Sequence, residues 1–293
     1  MQYILAHDLG TSGDKATLFS TDGALVAAVV ESYPCRYYND NWAEQNPDDW
    51  YAAVCRATKA LTAQVSPADI VGVSFSGHMM GAVLLDGRGE VLRSAIIWAD
   101  QRATAEQKRL AERVGDERFY AITGNRNNPT HSICKIMWSL DHDGLGRQLH
   151  KAINCKDLIV YQLTGHIGTD YSDASGTGVL DLNTFTWSAE ILEAAGVPMS
   201  VMPELRASTD LAGRVTAQAA AETGLLRGRR CSAAVPTARR RPLARALPNG
   251  GRAISAWVHP PGFPILTMPC IWTRSSGRSI WRVWRNTMCT PWV

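Results

Sequence analysis

The stretch Asp8-Leu9-Gly10-Thr11-Ser12-Gly13 decides the fold class, because it joins two segments that both have the pattern of β-strands. Residues 3–9 are mostly apolar and predict a buried strand, and an extended pattern resumes at Lys15–Phe19. Small residues in the connecting turn let backbone N–H groups approach an anion closely. An acid at a strand end can hold Mg²⁺, usually through water. The hexapeptide is either a phosphate clamp or an ordinary glycine-rich turn, and Lys15 favours the clamp.

The segments that follow alternate between strands and helices. Thr21-Asp22-Gly23 predicts a hairpin that leads into a third strand at Leu25–Val30. Pro47–Trp50 predicts a helix start with Asp48 as the N-cap. The remaining predictions are a helical face with Trp50, Val54 and Leu61, strands at Ile70–Phe75 and Val83–Leu85, a strand end at Ile96–Trp98, and a helix at Asp100–Val114. This alternation predicts the α/β class.

Two further segments carry side chains suited to a sugar, although each also has an ordinary structural explanation. Ser76-Gly77-His78-Met79-Met80-Gly81 follows a predicted strand, and open α/β sheets bind ligands beyond the carboxyl ends of their strands. The alternative, favoured by this segment alone, is that the two methionines fill a gap in the core. In Trp98-Ala99-Asp100-Gln101-Arg102 the indole can stack on a sugar while the acid and Arg102 bind hydroxyls. The alternative there is a helix start with Asp100 as cap and an exposed Arg102.

Composition excludes several protein classes. The 293 residues, 45% hydrophobic and 19% charged, suffice for one large or two small domains and exclude a disordered acidic chain or a collagen-like repeat. The chain has no apolar run of about 18 residues and no signal-peptide pattern at its N-terminus, so we expect no membrane span and a cytoplasmic location. The seven cysteines form no CxxC pair, which predicts reduced thiols rather than disulfides or a zinc site.

The net charge of +3 averages two unlike parts of the chain. Residues 1–228 carry 19 basic and 27 acidic residues, a net charge of −8. Residues 229–293 carry 11 arginines, no lysine and no acid, together with five tryptophans and eight prolines. This Arg/Pro/Trp-rich tail therefore differs in composition from everything that precedes it.

Taken in order, the motifs of the first 228 residues resemble the FGGY carbohydrate kinases, most closely their xylulokinase-like branch. Lys135 and Trp138 resemble part of the family's first signature. The other matching segments are Asp8–Gly13 with Lys15, Trp42–Pro47, Ser76–Gly81, Ile96–Arg102, Thr123–Asn125, Lys156–Leu158, Leu163–Gly165, Thr169–Thr177 and Trp187–Ser188. We therefore expect residues 1–228 to be an FGGY N-terminal domain.

This resemblance implies an actin/hexokinase-like (ribonuclease H-like) lobe in which ATP and a sugar meet at a cleft. It implies an ATP-dependent kinase that uses Mg²⁺ to phosphorylate a hydroxyl of a ketose such as D-xylulose. Asp8 would organise the metal and the phosphates, and the residues facing the nucleotide phosphates would be Gly10, Thr11, Ser12, Gly13 and Lys15. The sugar would be bound by His78, Met79, Met80, Trp98, Asp100 and Arg102. A homodimer is also implied by the resemblance.

The chain departs from the family's pattern at three places. Xylulokinases typically have Gln-Met-His at His78-Met79-Met80, and Trp-Asn-Asp at Trp98-Ala99-Asp100. The family's catalytic base, an Asp in a Gly-Gly-Asp stretch, should lie near residue 236. This sequence has Ala233–Ala238 there and no acid after Glu222. The first two departures bear on the identity of the sugar, and the third predicts little or no kinase activity for this chain.

A shifted reading frame accounts for the tail. When the last base of each codon is joined to the first two of the next, codon degeneracy permits Gly-Thr-Pro-Val from Gly228 to Cys231. It then permits Gly-Gly-Gly-Ala-Asp-Gly, with the Asp straddling Pro236 and Thr237. We therefore expect residues 229–293 to be translated out of frame and to have no regular fold.

Two other functions stay open at this point. A chain that keeps only the sugar side would be a non-catalytic sugar-binding fragment. Arginines interleaved with tryptophans could bind single-stranded nucleic acid, which predicts salt-dependent binding that is lost when the tail is removed. Because a frameshift explains the same composition, we expect a small-molecule sugar as partner and no nucleic acid.

Overall fold

Strands from both ends of the described chain meet in one mixed sheet. The computed structural model describes residues 1–232. The strands are β1 Tyr3–Leu9, β2 Gly13–Ser20, β3 Leu25–Ser32, β4 Arg36–Tyr38, β5 Trp42–Gln45, β6 Ile70–Gly77, β7 Val83–Leu85, β8 Ala95–Ile96, β9 Lys151–Ile153, β10 Gly168–Asp170, β11 Leu180–Asp181, β12 Thr186–Trp187, β13 Glu204–Arg206, β14 Leu211–Arg214 and β15 Arg230–Ser232.

Helices cover the segments between these strands. They are α1 Pro47–Thr62, α2 Thr104–Val114, α3 Asp116–Thr123, α4 Ser132–His142, α5 Cys155–Thr164, α6 Tyr171–Gly176, α7 Ala189–Ala195 and α8 Ala217–Thr223, with 3₁₀ turns at Leu145–Arg147 and Met199–Val201. The predicted α/β class is confirmed.

The main sheet has six strands within the described residues, in the order β14-β15-β6-β1-β2-β3. The strands β1, β2 and β3 form consecutive antiparallel hairpins, as the two turn signals predict. The strand β6 is parallel to β1 on one side and to β15 on the other. Because β1 and β6 run in the same direction, their carboxyl ends lie at the same edge of the sheet.

One face of this sheet is packed and the other is more open. Leu5, His7 and Leu9 alternate along β1 and are buried, whereas the residues between them are half-buried or exposed. Helix α1 covers the packed face with a stripe of fully buried side chains that includes Trp50, Val54 and Leu61. The predicted apolar face of this helix is therefore confirmed.

The first residues of α1 differ from the prediction. Asn46, and not Asp48, is the N-cap, and its side chain accepts the backbone N–H of Asp48 at 3.3 Å. Pro47 occupies the first helical turn, where its missing N–H needs no partner. Asp48 and Asp49 lie in that first turn, where an acid interacts favourably with the helix dipole.

The second helix also begins later than predicted. Helix α2 starts at Thr104, and Asp100 does not cap it. The carboxylate of Asp100 accepts the backbone N–H groups of Ala43 and Arg102 instead, and the N–H of Gln101 donates to Asn41 O. These contacts hold residues 100–102 outside the helix.

The buried side chains form two apolar clusters. The first lies between the main sheet and helices α1, α5 and α8. The second lies around helices α2, α4 and α7 and includes Phe119, Ile133 and Met137. The strands β7 and β9 contribute residues to both clusters, which connects the sheet to the helical part of the described chain.

The sheet continues past residue 228, where the sequence analysis places the domain boundary. Cys231 in β15 pairs with Val73 of β6 and is fully buried. The expectation that residues 229–293 have no regular fold is therefore wrong for Arg230–Ser232, because these residues pair with β6 in the main sheet. The rest of the tail, 233–293, lies outside the described residues. Cys35, Cys55, Cys134, Cys155 and Cys231 are free thiols, as predicted, and no helix among residues 1–232 is long and apolar enough to span a membrane.

We expect Asn46→Ala to lower the free energy of unfolding by about 1 kcal/mol, because it removes the observed N-cap of α1. Asp48→Ala should cost less, since it removes only a favourable interaction with the helix dipole. Urea unfolding of both variants measures the difference. A larger loss for Asp48→Ala would contradict the assignment of the cap.

Candidate functional site

The turn between β1 and β2 is closed by its own backbone and held by two side chains. The N–H of Gly10 donates to Gly13 O at 2.9 Å. The hydroxyl of Tyr33 donates to Gly10 O at 2.5 Å, and Nε2 of Gln45 donates to Thr11 O at 2.8 Å. Residues from β5 and from the segment after β3 therefore fix the conformation of the turn.

Two backbone donors of this turn are left available. Among the described residues, the N–H groups of Thr11 and Ser12 have no hydrogen-bond partner, and the Ser12 side chain is exposed. Gly13 must be a glycine, because a Cβ there would lie 2.7 Å from Glu31 O of the neighbouring strand. A closely packed turn with unpaired N–H groups suits an anion such as a phosphate.

Asp8 lies at the carboxyl end of β1, next to this turn. It pairs in register with Lys15 on β2 and with Ser76 on β6. Partial burial raises the pKa of the Asp8 carboxyl above its ordinary value, the Ser76 hydroxyl and Lys15 lower it, and nearby Asp14 raises it. One carboxylate and hydroxyl groups are oxygen donors of the kind Mg²⁺ takes, with water completing its coordination.

The Ser76–Gly81 segment is joined directly to the end of β1. The N–H of His78 donates to Leu9 O at 2.9 Å, immediately after β6 ends. Neither ring nitrogen of His78 has a partner among the described residues. Burial, together with a smaller effect of Lys135, lowers the pKa of the imidazole to about 4. The ring of His78 is therefore neutral and packs edge-on against Trp50, at 5.3 Å between ring centroids.

Met79 and Met80 continue this segment against helix α6. Both are half-buried, and a Cβ on Gly176 would lie 3.2 Å from Met79 Cε and 3.4 Å from Met80 Cγ. Met80 has a positive φ of 64°, which is unusual for a residue other than glycine. The methionines therefore do not lie deep in the core, and the structure leaves part of each accessible.

Trp98 connects the segment Trp98–Arg102 to the Gly10–Gly13 turn. Its Nε1 donates to Thr11 Oγ1 at 2.9 Å, while 46% of the residue stays exposed. This contact cannot be predicted from the sequence, because 87 residues separate the two partners and neither segment indicates the other. The indole thus lies beside the turn with an open surface.

Asp100 and Arg102 lie in a buried network rather than on an open surface. Arg102 donates through Nη2 to Asp100 Oδ2 at 2.7 Å and through Nη1 to Glu44 Oε1 at 2.8 Å. Its guanidinium lies 3.7 Å from the ring centroid of Trp42. The alternative of an exposed Arg102 is wrong, because these carboxylates and aromatic rings enclose its side chain. A role of this pair in sugar binding stays a prediction, and the geometry favours support of the Trp98 loop.

A second buried charge cluster lies under the Ser76–Gly81 segment and was not assigned any role from the sequence. Lys156 Nζ lies 2.9 Å from Asp157 Oδ1, 3.0 Å from Asp170 Oδ1 and 3.4 Å from Asp173 Oδ2. A Cβ on Gly77 would lie 3.1 Å from Lys156 Cβ. The cluster thus joins α5, β10 and α6 behind the end of β6.

The structure therefore brings most of the predicted site residues to one edge of the sheet. The residues that share this edge are Asp8, Gly10, Thr11, Ser12, Gly13, Lys15, His78 and Trp98, with Met79 and Met80 next to them. Asp100 and Arg102 lie behind Trp98. Within residues 1–232 no group of three His, Cys, Asp or Glu side chains could hold a metal ion.

Comparisons with known proteins find relatives of this chain. The model of the FGGY family of carbohydrate kinases, N-terminal domain, matches residues 3–234. The xylulose kinase of Bacillus subtilis (strain 168) is 36% identical over 229 residues, covering 77% of this chain and 46% of that kinase. The xylulose kinase of Escherichia coli (strain K12) is 36% identical over 219 residues, covering 74% and 45%. The chain spans about half the length of the curated relatives it matches.

A solved structure shows the same fold. The ligand-bound xylulose kinase from Lactobacillus acidophilus superposes with a TM-score of 0.76 at 27% identity, covering 80% of this chain and 48% of that one. The prediction of an actin/hexokinase-like N-terminal lobe is confirmed.

The Lys156 cluster predicts a pH dependence of stability. Burial, followed by Asp157 and Asp170, raises the pKa of Asp173 to about 7, although Lys156 opposes the shift. Between pH 3.8 and about 7 the folded chain keeps a proton on Asp173 that the unfolded chain has already released. The free energy of unfolding that this proton adds is therefore lost as the pH rises through that window. We expect Asp173→Asn to remove that loss. Unfolding free energies between pH 4 and 8 measure it.

The matched control is Asp40→Asn, at an exposed position whose positive φ asparagine tolerates. If the unfolding free energies of the wild-type chain and of Asp173→Asn changed in parallel with pH, the assignment of this loss to Asp173 would be contradicted.

Proposed function

The chain belongs to the FGGY family of carbohydrate kinases, and we propose that its described lobe supplies the phosphate and sugar sides of an ATP-dependent sugar kinase. The observation that carries this proposal is the turn at Gly10–Gly13, which presents two unpaired N–H groups beside the carboxylate of Asp8. Phosphoryl transfer depends mainly on positioning and on stabilising charge, and these groups suit both tasks.

On the phosphate side, each residue would have a distinct role. Thr11 and Ser12 would donate their backbone N–H groups to phosphate oxygens, and Lys15 would add a positive charge. Asp8 would hold Mg²⁺ through water, and its carboxylate fits that ion because it lies at the open end of β1. The bound metal would neutralise charge on the phosphates of ATP.

On the sugar side, Trp98 offers an exposed indole face and the segment His78–Met80 follows β6 at the same edge. An apolar wall of this kind suits the C–H surface of a sugar, and backbone groups of the segment would bind its hydroxyls. Asp100 and Arg102 would hold the Trp98 loop in place. The family relationship supports a ketose such as D-xylulose as the substrate.

The catalytic base is the part that this sequence does not provide. The sequence has no acid after Glu222, and the position near residue 236 where the family resemblance places an aspartate has Ala233–Ala238. A general base or orienting group activates the attacking hydroxyl in this chemistry. We therefore propose that the 293-residue chain by itself has little or no kinase activity.

The alternative function is a non-catalytic sugar-binding fragment. Cytoplasmic location and a homodimer stay predictions.

Calorimetry with D-xylulose and, separately, with Mg²⁺·ATP, combined with an assay of ADP release, distinguishes these functions. Binding of both ligands without turnover is the expected result for this chain, and binding of the sugar alone would favour the sugar-binding fragment. Robust ATP-dependent phosphorylation of a pentulose would contradict the proposed inactivity, and no binding of any ketose or of Mg²⁺·ATP would contradict both functions.

We expect Gly13→Ala to weaken Mg²⁺·ATP binding, because the added Cβ would lie 2.7 Å from Glu31 O and displace the turn. Gly87→Ala is the matched control, since a Cβ there meets no atom within 4 Å. Equal affinities of the two variants for Mg²⁺·ATP would show that the turn does not bind the nucleotide.

We also propose that residues 229–293 are translated out of frame. Sequencing the gene across codons 220–240 tests this directly. The expected result is a set of codons that, read one base earlier from codon 228, give Gly-Thr-Pro-Val and then Gly-Gly-Gly-Ala-Asp-Gly, whether the base is missing from the recorded sequence or from the gene itself. Codons that give other residues in that frame would contradict the proposal.

A further inference from the structure

Lys135 is a buried cation without a carboxylate partner. Lys135 lies in α4 and is fully buried. It takes part in none of the ion pairs among the described residues. Its Nζ donates to Met80 O at 2.9 Å and also to Thr130 O. Burying a lysine costs free energy, so its hydrogen bonds to two carbonyl oxygens indicate that it holds one or both of these backbone groups in place.

Met80 is the strained partner of this pair. Its φ of 64° lies in the left-handed region, which is unfavourable for a residue with a Cβ unless its surroundings hold it there. The carbonyl of Met80 is held by Lys135, and its Sδ lies 3.9 Å from Thr130 Oγ1. Both contacts come from α4 or from the loop just before it, so this region holds Met80 in place.

We propose that Lys135 is a positioning residue that locks Met80 in its left-handed conformation and thereby places Met79 and Met80 for the sugar. Lys135 acts through the Met80 carbonyl and does not touch the sugar itself. This inference rests on the proposed function, because it concerns the segment assigned to the sugar side.

The charges around Lys135 agree with such a clamp. Asp100 and Arg102 face it from the loop before α2, Cys134 is its neighbour on α4, and His78 lies toward β6. Burial lowers the pKa of Lys135 to about 7. A neutral amine still has two N–H groups for two carbonyl oxygens, so the clamp persists when the proton is lost.

Lys135→Met tests the clamp, because methionine fills much of the same space without a donor. Lys151→Met is the matched control, since Lys151 Nζ also donates to two carbonyl oxygens, those of Ser200 and Met202, far from this segment in sequence. We expect Lys135→Met, but not Lys151→Met, to shift the ¹³C methyl resonances of Met79 and Met80. We expect it to weaken D-xylulose binding about tenfold, the ratio for one lost hydrogen bond of ordinary strength.

Met80→Gly separates the clamp from general packing. Glycine adopts a positive φ freely, so the double variant Lys135→Met/Met80→Gly should recover stability relative to Lys135→Met alone. This recovery, measured as Tm, is expected even if Lys135→Met folds poorly. If Lys135→Met lowered the Tm equally in the wild-type and Met80→Gly backgrounds, the proposal would be overturned. Methyl spectra of Lys135→Met that match those of Lys151→Met would overturn it as well.

The methyl and Tm measurements need no sugar. If Met80 responds to Lys135→Met but the wild-type chain binds no ketose, the clamp stands and the proposed sugar site fails. If the chain binds a ketose and Lys135→Met changes neither Met80 nor the affinity, the clamp fails and the proposed function stands.

Discussion

The parallel pairing of β1 with β6 is the constraint on which the rest of the site depends. It puts Asp8 beside Ser76 and lets the N–H of His78 donate to Leu9 O, so two motifs about 70 residues apart in sequence leave the sheet at one edge. The antiparallel return of β2 then places the Gly10–Gly13 turn at that edge. The proposed phosphate and sugar sides lie together because three strands end or turn at one place, as expected for open α/β sheets.

Buried charges stabilise the loops that leave this edge. Arg102 is enclosed by Asp100, Glu44 and the ring of Trp42, and this network holds the loop whose Trp98 donates to Thr11. Lys156 is surrounded by three carboxylates behind the end of β6. Removing one partner from such a network leaves an uncompensated buried charge, which is far more destabilising than losing a surface ion pair. The exposed groups at the edge thus lie next to buried, paired charges.

Much of this arrangement could be predicted from local sequence patterns. The alternation in β1, the two turn signals and the apolar face of α1 depend only on neighbouring residues, and the structure confirms them. The N-cap at Asn46 and the late start of α2 could not be predicted in the same way. Asp48 and Asp100 both fit a capping pattern, and only contacts with distant residues, such as Ala43 N–H to Asp100, decide against it. The burial of Arg102 and the left-handed Met80 depend on tertiary contacts for the same reason.

The central claim is that the β1–β2 turn binds the phosphates of a nucleotide, and residue-resolved amide NMR tests it most directly. The ¹H–¹⁵N resonances of Thr11 and Ser12 would be followed while Mg²⁺·ATP is added to the chain, with the amide of Gly87 as a distant reference. The account predicts saturable shifts at Thr11 and Ser12 and none at Gly87. Saturable binding that leaves both turn amides unchanged would contradict it.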